Sequence, residues 1–193
     1  MPASRILLVA LAGEGTLALL ALAWAWTRGL ALGWGDAGHG VTVGLGTAAG
    51  LAVANYALLR LGPDRWPVSS VRRVYRTLLR PLFARVDLPT ILGVSIAAGV
   101  GEELFFRGAV QGEFGLIVAS AAFGAAHVGS VRYAGFGLWA GLIGALLGWL
   151  AEATGGLLAP IVAHAVYDAL ALAYVRWAPE PGTPGAVVPQ EEI

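Results

Sequence analysis

The sequence predicts an all-α integral membrane protein of about six transmembrane helices plus one basic amphipathic helix at the membrane interface. Three observations predict it. Of the 193 residues, 58% are hydrophobic and only 12% are charged, about half the charged content of a soluble domain. Mean hydropathy is +0.74. The apolar residues fall into runs of about 20, the length that crosses a bilayer as a helix, and the chain length suits a single membrane domain over residues 1–177.

The elements follow in order. Residues 6–26 form a first span that carries Glu14 and ends near Trp24 and Trp26, residues suited to the membrane–water interface. Arg5 and this run imitate a secretory signal, but the run is too long and further spans follow it, so the helix is read as retained. Residues 27–40 are Gly-rich and loop-like, and include His39. A second span covers 41–61, where Gly46 and Gly50 make a small-xxx-small pattern suited to close helix packing. Residues 64–87 then hold Arg65, Arg72, Arg73, Arg76, Arg80 and Arg85, with apolar residues between them at helical spacing. That pattern describes a helix lying in the interface plane, with a kink expected near Pro81. The positive-inside rule puts this segment and the N-terminus in the cytoplasm, in a cell membrane. So apolar a chain argues against reading the arginines as a nucleic-acid site.

A third span runs over 89–110. Gly112 and Gly115 separate it from a shorter helix at about 114–128 that ends near His127. A fifth span covers about 133–150, with Gly137, Gly141, Gly144 and Gly148 as its packing face. A sixth runs over about 157–176. The Pro-rich tail, 178–193, reads as disordered.

Polar residues inside the apolar segments carry the functional signal, because a charge at the bilayer centre costs at least ~2.5 kcal/mol on insertion scales. In "EELFFR" (102–107), Glu103 and Arg107 are spaced i, i+4 and can pair on one helix face. Glu102 lies about 100 degrees round the helix and is left over. His164 and Asp168 again share a face at i, i+4, and Phe123 lies one turn before His127. Glu102, His127, His164 and Asp168 come from three helices, and together they could hold a water between a carboxylate and imidazoles. The same set, Glu102, His127 and His164 foremost, has donor types that suit Zn²⁺. No H-E-x-x-H is present, and the lack of cysteine excludes thiol catalysis and disulfides. Glu14 has no partner at helical spacing and is expected in a buried hydrogen bond or a shallow position.

"EELFFR" resembles an EExxxR motif, "FGAAH" (123–127) an FxxxH motif and "HAVYD" (164–168) an HxxxN/D motif. Their order resembles the CPBP (Abi) family of intramembrane proteases, which includes CAAX prenyl endopeptidases and bacteriocin-processing or self-immunity proteins; the match covers 89–175. The resemblance implies a catalytic cavity within the bilayer, with Glu102 and His127 activating the hydrolytic water. It implies that His164 and Asp168 stabilise the oxyanion or help hold a metal, with Glu103 and Arg107 as a structural pair. Asp168 could donate to an oxyanion only when protonated. The expected partners are membrane lipids and a membrane-associated peptide or protein substrate. A non-catalytic immunity or binding protein on the same scaffold, and a proton-coupled transporter, are the competing readings.

Overall fold

The computed structural model describes residues 2–178; the predicted tail therefore lies, apart from Ala178, outside the described residues. Its helices are α1 (Ala3–Arg28), α2 (Ala37–Leu61), α3 (Val68–Val74), α4 (Arg80–Phe83), α5 (Leu88–Glu103), α6 (Gln111–Ala126), α7 (Ala134–Thr154) and α8 (Leu158–Trp177). Two π-helical turns, Tyr75–Leu79 and Leu104–Val110, join α3 to α4 and α5 to α6 without a break. The protein is all-α and membrane-spanning, with five helical stretches among the described residues long and apolar enough to cross a bilayer. One of them, Leu88–Ala126, contains both the third and the fourth predicted spans.

That stretch is not straight. Gly115 has φ 82° and ψ 170°, a conformation reached essentially by glycine alone. The chain reverses there. Phe106 and Phe123, nine residues before and eight after the glycine, lie with ring centroids 5.0 Å apart, whereas a straight helix would hold them roughly 25 Å apart. The returning limb is short, about 16 Å for eleven residues against ~30 Å of hydrocarbon. It therefore ends inside the bundle, at the level of Glu102.

Asp36 and Asp87 cap α2 and α5 by accepting hydrogen bonds from the backbone N–H groups of His39 (2.7 Å) and Thr90 (3.1 Å). Capping at Asp36 starts α2 earlier than predicted, so exposed His39 lies in its first turn rather than in a loop. The small-residue face of α2 is also displaced from the prediction. Gly44 meets Ala159 and Val162 of α8, while Gly46 and Gly50 face open space. Gly40, one turn earlier, meets Leu158 and Ala159 as well, so both pairs are spaced i, i+4, and only the direction of the partner helix separates them. The glycine face of α7 packs as expected, with Gly137, Gly141 and Gly144 against Gly124 and Phe123. In the arginine-rich helix, the irregularity is the π turn at Tyr75–Leu79, just before Pro81, whose missing N–H the wider turn accommodates.

The ends of the bundle differ in charge. Ser70 Oγ donates to Arg132 O (3.0 Å), and Arg176 donates to Ala84 O and Val86 O. Ile6, Leu59, Val71, Phe83, Val86 and Val175 share one core cluster. The start of α1, residues 62–87, the loop before α7 and the end of α8 thus gather at one end. Of the twelve basic residues, all arginine, only Arg28 and Arg107 lie away from it. The opposite end holds the Trp34–Gly156 bridge and the Arg28–Glu113 ion pair (2.6 Å).

Gly115→Ala should lower stability by about 1–3 kcal/mol through backbone strain alone, since a Cβ there meets no neighbour. Thermal unfolding in detergent measures this, and an unchanged midpoint would contradict the reversal.

Candidate active site

The site is assembled by two close approaches. The hairpin at Gly115 folds α6 back along α5, and Gly99 lets α8 press against α5. A Cβ at Gly99 would lie 2.9 Å from Ala165 N and 3.0 Å from Ile161 O. The first contact brings His127 opposite Glu102, and the second brings His164 opposite Glu103.

Glu103 is fully buried. Its Oε2 lies 3.1 Å from Arg107 Nε, the expected i, i+4 pair, and both side chains are shielded from solvent. Arg107 also donates through Nη2 to Gly144 O (3.2 Å) and sits over the Phe123 ring, 4.6 Å from its centroid. The π turn Leu104–Val110 begins immediately after the carboxylate pair, a position such turns often take at functional sites. A second partner of Glu103 was not foreseen from the sequence. Its Oε1 accepts from His164 Nδ1 at 2.7 Å, linking α5 to α8 across 61 positions. Glu103 is thus a bridge between guanidinium and imidazole rather than one half of a local pair.

His127 donates through Nδ1 to Phe123 O (2.8 Å), because a carbonyl can only accept. In the neutral ring this leaves the Nε2 lone pair facing Glu102. The gap from Nε2 to Glu102 Oε2 is 3.9 Å, too long for a direct hydrogen bond but suited to one water at about 2.8 Å from each atom. Glu102 Oε2 has no hydrogen-bond partner. Phe123 lies against His127 (4.5 Å between centroids) and edge-on to His164 (5.9 Å), so its packing fixes both imidazoles. His164 Nε2 faces Asp168 Oδ2 at 3.6 Å.

Glu102, His127, His164 and Asp168 all line one cavity of about 490 Å³. The rest of its wall is largely apolar and aromatic, including Phe136, Trp139 and Ile143, and it extends to Val74, Leu78 and Leu82 beside the arginine-rich end. Asn55 lines this cavity too.

Glu14 Oε2 is not in the expected buried hydrogen bond: it is buried without a partner and abuts α5 at Gly101, where a Cβ would lie 2.8 Å away. A third glutamate therefore stands beside the site, brought there by the packing of α1 on α5. Glu113 and Glu152 sit at the far end of the bundle, bonded to Arg28 and Gln111.

Among the described residues, no three His, Asp or Glu side chains are arranged to share one ion. His164 donates Nδ1 to Glu103, which leaves Nε2, on the cavity side, as the atom it could offer an ion.

Residues 84–170, somewhat under half of the chain, match the family model described as type II CAAX prenyl endopeptidase, Rce1-like. This segment is similar to that family. It contains every residue of the predicted site, and it agrees with the CPBP resemblance read from the motifs. The chain is also 31% identical over 98 residues to the uncharacterized protein YpbD of Bacillus subtilis (strain 168). That alignment covers 51% of this chain and 52% of the relative, so the chain spans about half the length of the curated relative it matches. No solved structure matches the chain.

Arg107→Leu should cost about 3–5 kcal/mol, since it strands the buried Glu103 charge. Adding Glu103→Leu should recover much of that loss, because a buried ion pair replaced by apolar groups is often neutral. A double-mutant cycle on unfolding in detergent measures the coupling; additive losses would contradict the pairing.

Proposed function

We propose that the protein is an intramembrane endopeptidase that hydrolyses a peptide bond of a membrane-associated peptide or protein. The observation that carries this reading is the convergence of Glu102, His127, His164 and Asp168 on one cavity large enough for an extended peptide segment. A structural role for these residues would have them buried and mutually satisfied. Instead Glu102 keeps an unpartnered oxygen, and His127 and Asp168 retain 27% and 31% side-chain exposure.

The chemistry follows from the distances. A water in the 3.9 Å gap between Glu102 and His127 gives up a proton to this pair as its oxygen attacks the scissile carbonyl carbon. His164, oriented by Glu103 through Nδ1, presents Nε2 toward the cavity, and its imidazolium form donates to the oxyanion. Asp168, with Oδ2 3.6 Å from that nitrogen, balances its charge. The C–N bond then breaks, the proton held by Glu102 and His127 passes to the leaving amine, and a new carboxyl group remains. Each step runs through the chain's own side chains, without a metal. Membrane lipids and the substrate are the partners, and the arginine-rich end faces the cytoplasm of a cell membrane.

Glu102→Gln should reduce cleavage by about 10²–10⁴-fold, the contribution of a positioned general base, and should leave the unfolding midpoint near wild type. Cleavage of membrane-anchored peptides by purified protein measures this, and an undiminished rate in Glu102→Gln would sink the mechanism. Exhaustive chelation should leave the wild-type rate unchanged; loss on chelation with recovery on adding Zn²⁺ would refute the metal-free route.

A further inference from the structure

The run from Val68 to Phe83 has two faces with different neighbours. Val71, Val74, Tyr75, Leu78, Leu79 and Leu82 form one wall of the cavity that holds the four site residues. The other face exposes Arg73, and Arg65 and Arg85 are exposed just beyond the two ends of the run. Trp66, at its start, is 66% exposed, as suits a side chain in a headgroup layer.

Other arginines attach this run to the bundle, and they do so near its ends. Arg72 donates through Nε to Leu59 O (3.0 Å) and through Nη2 to Gly62 O (2.6 Å), at the end of α2. Arg80 donates to Ala178 O (3.0 Å), and Arg176 of α8 holds Ala84 O and Val86 O. Between these attachments lies the π turn Tyr75–Leu79, whose wider hydrogen-bond ladder is a weaker link than an α-helical turn. Across the turn, the contact of Thr77 with Tyr133 is a single hydroxyl pair at 3.3 Å. The result is a strap hydrogen-bonded near both ends and packed between them through Tyr75 on Tyr174 (5.9 Å between ring centroids), with a cavity behind it and a cationic surface in front.

We propose that this arginine face docks anionic phospholipid headgroups and that the docked lipid draws the strap outward at the π turn, opening the cavity. The occupant follows from charge complementarity and place: guanidinium groups favour phosphate oxygens, and the end that carries these arginines is the end that meets a leaflet surface. Anionic headgroups that approach two arginines more closely in the open strap than in the closed one shift the equilibrium between them by roughly tenfold or more. The proposal rests on the reading of this cavity as the substrate site, but its test does not require cleavage.

The chain lacks cysteine, so a single introduced thiol reports without background. The full chain with Val74→Cys, a cavity-wall position only 3% exposed, is reconstituted in nanodiscs of phosphatidylcholine alone or mixed with phosphatidylglycerol. Alkylation by a water-soluble maleimide should be roughly tenfold faster in the anionic discs. Adding Arg73→Gln with Arg85→Gln should remove the difference, and Val71→Cys, a cavity-wall position 5% exposed, serves as a second reporter if Val74→Cys does not fold. Equal rates in the two lipids would overturn the proposal, as would an acceleration that survives the double arginine change. Acceleration by inorganic phosphate in neutral discs would overturn it too, assigning the surface to free phosphate. Labelling that behaves as expected in a protein that cleaves nothing would count against the proteolytic reading and leave this one standing.

Discussion

The arrangement depends on one buried carboxylate. Glu103 has no exposed surface, and a charge in that position is tolerated only when it is fully compensated. Compensation comes from two directions: Arg107 on its own helix and His164 on α8. Because the second partner is on another helix, satisfying the charge also fixes how α8 lies on α5. Gly99 makes the approach close enough, and the imidazole that results is held at one angle rather than free to rotate. The energetic requirement of one carboxylate thus becomes the orientation of a neighbouring group.

Glu102 has the opposite circumstances on the same helical turn. It faces the cavity with one oxygen unpartnered, and its counterpart is an imidazole held 3.9 Å away. The reversal at Gly115 accounts for that pairing geometrically. Glu102 lies thirteen residues before the glycine and His127 twelve after it, so the two limbs of the hairpin carry them to the same level. Phe123 completes the arrangement by supporting Arg107 and both histidines with one ring. Two adjacent glutamates therefore do different work because one helical step turns them toward different neighbours.

Much of this was legible in the sequence, for local reasons. The i, i+4 spacing identified Glu103 with Arg107 and isolated Glu102; apolar runs located the helices; Gly115 marked the break before the short limb. The features that escaped were all decided by contacts between distant helices. No spacing rule links Glu103 to His164 across 61 positions. Glu14 had no partner at helical spacing, and only the packing of α1 on α5 carries it to Gly101. On α2, Gly40 and Gly44 carry the close contacts rather than Gly46 and Gly50, a choice made by where α8 stands. The π turns left no signal either, since their residues keep ordinary helical spacing on either side.

The central claim is that water, activated between Glu102 and His127, cuts a peptide bond inside the membrane. The most direct measurement is mass spectrometry of peptides cleaved by the purified protein in lipid nanodiscs made up in H₂¹⁸O, starting from a mixture of membrane-embedded peptides. The products should carry one ¹⁸O atom at the new carboxyl terminus and be formed by the wild-type protein but not by the Glu102→Gln variant. Products without the label, or labelled products formed equally by the variant, would contradict it, as would a folded wild-type protein that cleaves none of the peptides.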